Sequence, residues 1–152
     1  MNRVIGLDVG DKTIGVAVSD PLFLTAQGIT TIERVGVRKD TTAVLEYVKE
    51  YDAEAVVCGL PIMLNGSDSP QTQKVREFAE MLQNKLRSNG SKAKIIFQDE
   101  RFTTKIAEDV LMQTGMKRKE RKQFVDKQAA VIILQSYMDA QRFASENSNI
   151  NK

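Results

Sequence analysis

Short runs of apolar, β-branched residues dominate the start of the chain, at 3–9, 14–20 and 25–33, with turns between them that contain Gly10, Pro21 and Gly28. Such runs predict three strands in an antiparallel meander. The period then lengthens. Val44, Leu45 and Val48 recur at helical spacing, which predicts a helix capped by Asp40 and ending near Tyr51. The unbroken apolar run Ala55-Val56-Val57-Cys58 predicts a strand buried on both faces, hence a parallel one. A turn-rich loop, Gly59 to Pro70, leads to a helix over about Gln71–Arg87, whose Val75, Phe78, Ala79 and Leu82 share a stripe. Ser88-Asn89-Gly90 stops that helix, and Ala93–Gln98 reads as a strand running directly into Asp99-Glu100-Arg101. Beyond it the pattern predicts a helix over about Thr103–Gln113 and a final helix over about Phe124–Phe143, with Ala129, Ile132, Ile133, Ser136 and Tyr137 facing the core. The Asn/Ser-rich stretch 145–152 predicts a disordered tail behind a single domain, 1–144.

Three antiparallel strands followed by alternating helices and strands describe an α/β protein with a mixed five-stranded sheet flanked by helices. This is the element order of the ribonuclease H-like fold. One residue breaks the apolar pattern of its first strand. Asp8 sits inside Val4-Ile5-Gly6-Leu7-Asp8-Val9-Gly10, where an ionised carboxylate must be paired, hydrogen-bonded or bound to a cation, and the neighbouring glycines clear space for a ligand. The competing reading is an ordinary hairpin in which Asp8 faces water.

Composition narrows the chemistry. The 152 residues contain no histidine and one cysteine, which excludes histidine-based nucleophilic catalysis, histidine metal ligands and thiolate zinc sites. Cys58, in an apolar run with no base to activate it, reads as a buried structural thiol. Any metal would be a hard cation held by carboxylates, Mg²⁺ or Mn²⁺. No apolar run approaches the roughly 20 residues that span a bilayer, and no secretory leader is evident, so a cytoplasmic protein is expected. The net charge of +2 says little about partners until its distribution is considered.

Three acidic features align: Asp8 on the first strand, Asp99-Glu100 at the end of the last, and Asp126 near the start of the final helix. In a mixed sheet these positions can converge, and such a cluster suits two-metal hydrolysis of a phosphodiester. Val4–Asp20, Gly59-Leu60-Pro61 with Asn65-Gly66 and Pro70-Gln71-Thr72, Asp99-Glu100-Arg101-Phe102-Thr103-Thr104, and Val125–Val131 resemble, in order, the motifs of the YqgF/RuvX family. That family comprises pre-16S rRNA nucleases, also described as Holliday junction resolvase-like proteins. The resemblance spans about residues 3–140 and implies a ribonuclease H-like fold and a bacterial cytoplasmic protein that matures the 5′ end of the small-subunit rRNA. By position it implies Asp8, Glu100 and Asp126 as catalytic metal ligands for Mg²⁺ or Mn²⁺, with Asp99 as the alternative to Glu100. Asp11 departs from the small polar residue usual at its turn position.

The run Lys117-Arg118-Lys119-Glu120-Arg121-Lys122 reads by composition as a solvated loop, and beside an active site as a phosphate-neutralising one, with Lys12 and Arg101 nearer the chemistry. Lys12, Arg101, Lys117, Arg118, Arg121 and Lys122 are therefore the candidate substrate-binding residues. With no Trp and few aromatics, recognition leans on backbone charge and nucleic-acid shape. Met112, Met116 and Met138 read as core filling. The leading expectation is a metal-dependent nuclease acting on structured RNA. A branched-DNA resolvase on the same scaffold and a non-catalytic RNA-binding assembly factor are the alternatives. An actin-like ATPase, suggested by Gly6-Leu7-Asp8-Val9-Gly10 with Lys12-Thr13, would need a second lobe.

Overall fold

The computed structural model describes the backbone of residues 3–100 and 118–150, and the side chains of 3–100 and 128–144. Its strands are β1 (Arg3–Val9), β2 (Thr13–Ser19), β3 (Ala26–Glu33), β4 (Ala53–Leu60) and β5 (Lys94–Asp99), and its helices are α1 (Val37–Glu50), α2 (Pro70–Ser88) and α3 (Arg118–Ile150). They build one sheet in the order β3-β2-β1-β4-β5. β1 pairs antiparallel with β2, and β2 with β3. The β1–β4 and β4–β5 pairings are parallel. This is the mixed sheet that the early meander and the later alternation predict.

The period-two alternation of β1 divides the core between the two faces of the sheet. Ile5, Leu7 and Val9 pack with Val44, Leu45 and Val48 of α1 and with Val75, Phe78, Ala79, Leu82 and Leu86 of α2. Val4 and Val57 pack instead with Ala130, Ile133, Leu134 and Met138 of α3. Asp8 therefore falls on the α3 face of the sheet. α3 lies very close to that face, because a Cβ added to Gly6 would come within 2.7 Å of Leu134 Cβ and 3.1 Å of the Ala130 carbonyl oxygen. Only glycine fits at such a crossing.

Four expectations are corrected. Asp40 does not cap α1, which begins at Val37 behind Gly36. Its carboxylate, 1% exposed, reaches back to accept hydrogen bonds from the backbone N–H of Val35 and Gly36 and from Arg34. Those bonds outweigh the cost of burial and hold Asp40 below its ordinary pKa. Second, α3 begins at Arg118, so residues 118–122 of the basic run are helical rather than a loop. Lys, Arg and Glu are good helix formers, and no Gly or Pro follows Gly115 to interrupt them. The helical backbone also continues, with no Gly or Pro to interrupt it, to Ile150, into the Asn/Ser-rich stretch expected to be a disordered tail. Last, the core-facing stripe of α3 is Ala129, Ala130, Ile133, Leu134 and Met138, whereas Ser136 is exposed. The helix expected over 103–113, with Met112 and Met116, lies outside the described residues.

Candidate active site

Asp8 occupies the α3 face of the central strand with glycines on either side. The antiparallel register sets Gly15 of β2 opposite it, and Gly59 of β4 lies one residue beyond the Leu7–Cys58 pair. Neither neighbour projects a side chain beside the carboxylate, so a ligand can approach Asp8 across the sheet.

Glu100 comes to the same place from the end of β5. Its backbone N–H donates to the Leu60 carbonyl at 3.2 Å, which extends the β4–β5 alignment one residue past the Leu60–Asp99 pair. The side chain folds back over Gly59, where an added Cβ would meet Glu100 Oε2 at 2.6 Å and would also strike Ile133 of α3. Glu100 Oε2 is buried and has no hydrogen-bond partner among the described residues. A buried acceptor without a partner is costly. Burial, then the negative charges of Asp8 and Asp99, push the Glu100 carboxyl up to about 8. Burial, with the Glu100 charge adding to it, pushes the Cys58 thiol up to about 12, so this cysteine is an inert part of the core.

The backbone of α3 leads toward these two acids. Ile133 lies over Gly59, and Tyr137 feels the charge of Glu54 near the start of β4, so the helix runs antiparallel to the strand. Position 126 stands one turn before Ala130 on the helix face that crosses Gly6, toward the strand end carrying Asp8. The Asp126 side chain lies outside the described residues, as do Arg101 and Lys117 and the side chains of Arg118, Arg121 and Lys122. Among the described residues no group of three or more His, Cys, Asp or Glu is close enough to hold a metal ion. Lys12 is exposed in the β1–β2 turn, and Asp99, unlike Glu100, is exposed at the strand end.

The loop between β4 and α2 leads into the helix start that holds the turn after Asp8. Ser69 and Thr72 form a reciprocal capping box with Pro70 in the first turn, and Thr72 Oγ1 also donates to the Pro61 carbonyl at 2.6 Å. This explains the Pro70-Gln71-Thr72 motif locally. Gln71 Nε2 donates to the Val9 carbonyl at 3.2 Å, Arg34 Nη1 donates to the Gly10 carbonyl at 2.9 Å, and Lys74 pairs with Asp11 at 3.2 Å. The residues on which the turn rests, Gln71 and Arg34, were not singled out by sequence reading. The signal for Gln71 was its place in a motif at a helix start; Arg34 carried none.

The described side chains thus offer two hard-oxygen groups at neighbouring positions on one face of the sheet, Asp8 on β1 and Glu100 folded over Gly59. The fit to a divalent cation rests on the partnerless buried oxygen of Glu100 and on the room left by Gly59. Residues 2–140 match the family RuvX, described as Holliday junction resolvase. A protein of Caldanaerobacter subterraneus subsp. tengcongensis named "Putative pre-16S rRNA nuclease" is 52% identical over 141 residues, covering 92% of this chain and 98% of that protein. A Clostridium novyi protein of the same name is 48% identical over 138 residues, covering 91% and 98%. Among solved structures, T. thermophilus RuvC in complex with a Holliday junction substrate matches with a TM-score of 0.55 at 16% identity, over 93% of this chain and 96% of that one. The fowlpox virus Holliday junction resolvase matches with a TM-score of 0.53 at 18% identity, over 91% and 99%. These structural likenesses show a RuvC-like, ribonuclease H-like fold.

Proposed function

The chain belongs to the RuvX family, and from that premise we propose that it is a divalent-cation-dependent nuclease that cuts structured RNA at the 5′ end of pre-16S rRNA, in the cytoplasm. The observation that carries this reading is the pair Asp8 and Glu100, the latter with a buried, partnerless oxygen, in a chain about half identical to proteins named as nucleases. Asp8 and Glu100, with Asp126 from α3, would hold Mg²⁺ or Mn²⁺, and the orphaned oxygen favours Glu100 over Asp99. Bound cations supply a Lewis acid for the phosphoryl oxygens and lower the pKa of the attacking water. The chain's own part is to collect carboxylates that repel one another, keep side chains away from Asp8 through Gly15 and Gly59, and exclude water with Ile133. No helix among the described residues is long and apolar enough to cross a membrane.

The test is cleavage of a precursor rRNA fragment and of a four-way DNA junction by the same preparation, with Mg²⁺ and with EDTA. Mg²⁺-dependent processing of the RNA at its 5′ side with the junction left intact is the expected result. Cleavage of the junction in preference would make the chain a DNA resolvase, and binding without turnover would make it an assembly factor.

Lys12, Arg101 and the basic run carry the substrate's phosphates in this reading. Replacing Lys117, Arg118, Arg121 and Lys122 together with Ala is expected to weaken binding equally for unrelated RNA sequences. It should also flatten the dependence of log K on log salt by up to about 3 to 4, since each phosphate contact contributes nearly one. Filter binding from low to moderate salt reads this directly. An unchanged slope would leave the run as a solvated helix end.

A further inference from the structure

We propose that Arg34 and Gln71 are positioning residues that clamp the end of β1 and so set Asp8 in the geometry a divalent cation requires. This rests on the reading of Asp8 as a cation ligand. The parallel ladder from β1 to β4 ends at Leu7–Cys58, while the antiparallel ladder to β2 continues to Val9–Ile14. The β1–β4 pairing thus stops just before Asp8, with Gly59 left beside it unpaired to β1. Gln71 takes over on Val9, just past the end of that pairing, and Arg34 holds the next residue from the β3 side of the sheet. Gln71 Nε2 donates to the Val9 carbonyl at 3.2 Å, and Arg34 Nη1 donates to the Gly10 carbonyl at 2.9 Å. Two consecutive carbonyls directly after Asp8 are therefore held from two different elements, the start of α2 and the end of β3.

The Arg34 side is anchored unusually firmly. Its Nε bonds Asp40 Oδ2 at 3.0 Å, its guanidinium lies 5.4 Å from the Phe78 ring centroid, and its own N–H donates to the Lys12 carbonyl at 2.9 Å. Asp40 is in turn fixed by the N–H groups of Val35 and Gly36. A buried ion pair is a poor device for stability, because desolvation consumes most of its attraction, but it is a stiff one. Here the forked guanidinium bridges a fixed anchor and a turn built on Gly10, the residue type least able to hold its own conformation. The Arg34 side chain is only 16% exposed and its Nε and Nη1 are already engaged, so it is poorly placed to bind substrate. Cation ligands must be held within about 0.5 Å of their productive positions, and partners that orient such ligands typically contribute about 10- to 100-fold in affinity or activity.

Two single variants test this. R34K keeps a positive charge beside Asp40 but cannot span both partners, and Q71M keeps the size of the side chain while removing the donor. Hydrogen exchange at residues 10–13, Mn²⁺ affinity by titration with paramagnetic resonance, melting in EDTA, and kcat and KM are measured on both, beside wild type and D8N. The expected result is faster exchange at residues 10–13, Mn²⁺ affinity and kcat lowered by about 10-fold or more, KM unchanged, and melting within a few degrees of wild type. Wild-type Mn²⁺ affinity in both R34K and Q71M, with D8N weakened, would overturn the clamp alone. So would unchanged exchange. Wild-type Mn²⁺ affinity in D8N would instead overturn the cation reading of Asp8. Should R34K fail to fold, Q71M, which disturbs no charge, still decides.

Discussion

Asp8→Asn is expected to abolish Mg²⁺-dependent cleavage of a precursor rRNA fragment, by about 10³-fold or more, while leaving the protein folded. A thousandfold loss corresponds to about 4 kcal/mol of transition-state stabilisation, the scale expected when a hard cation loses an anionic ligand. The amide preserves the shape of the side chain but not its charge. The surroundings of Asp8 make the change benign for folding. It is flanked on its face by glycines, and the charge it removes is one of those pushing Glu100 up. Without metal, the variant should melt at the same temperature as wild type or above it, because a like-charge repulsion is relieved. With Mg²⁺ the order reverses, since a ligand that binds only the folded state stabilises wild type more. A structural ion pair at Asp8 would behave oppositely, losing roughly 3–5 kcal/mol with or without metal. Near-wild-type cleavage by Asp8→Asn would sink the metal mechanism.

The second large effect is on stability against pH in EDTA. Glu100 binds its proton more tightly in the folded protein, at about 8, than the ordinary value of 4.5 it regains on unfolding. Folding therefore takes up a proton between those values, and the stability this contributes is complete below about 4.5 and lost as pH rises through about 8. Metal-free wild type should weaken by roughly 2–4 kcal/mol from pH 5 to pH 8. Glu100→Gln, which cannot ionise, should show a much flatter profile and melt several degrees higher at pH 8. Asp20, Asp40 and Asp139 are all lowered, Asp20 chiefly by the Thr25 N–H and Asp139 by Gln135, so their contributions are lost only in acid and do not overlap this window. Chemical denaturation at several pH values separates the two variants. A parallel fall in wild type and Glu100→Gln would show that Glu100 is not the group responsible.

Local pattern made most of the sheet legible. β1 spans Arg3–Val9 as its apolar run indicates, and β4 is the buried parallel strand that Val56-Val57-Cys58 announces, because burial on both faces removes the need for alternation. Asp8 was conspicuous for the converse reason, as a charge inside such a run. Helix ends were less legible. Asp40 had the right chemistry for a cap, yet a partner outside the helix, Arg34, and the backbone of Val35 and Gly36 drew it into the fourth helical position. The start of α3 at Arg118 was hidden because a run of good helix formers carries no apolar stripe to mark it.

Residue type and local period alone gave the five strands with their antiparallel and parallel sets, the absence of histidine chemistry, and the acidic residues from which a site could be drawn. That β1 lies beside β4, and that Glu100 turns inward over Gly59 while Asp99 stays exposed, emerged only once the chain was packed. The inward turn of Glu100 depends on where β5 ends relative to Leu60 and on how closely α3 approaches the sheet, neither of which is encoded in neighbouring residues. Packing also brings Arg34, 26 positions after Asp8, and Gln71, 63 positions after it, to the same turn. Hydrogen bonds to main-chain carbonyls leave no trace in residue patterning, because every residue offers the same carbonyl and only the fold determines which one a side chain reaches.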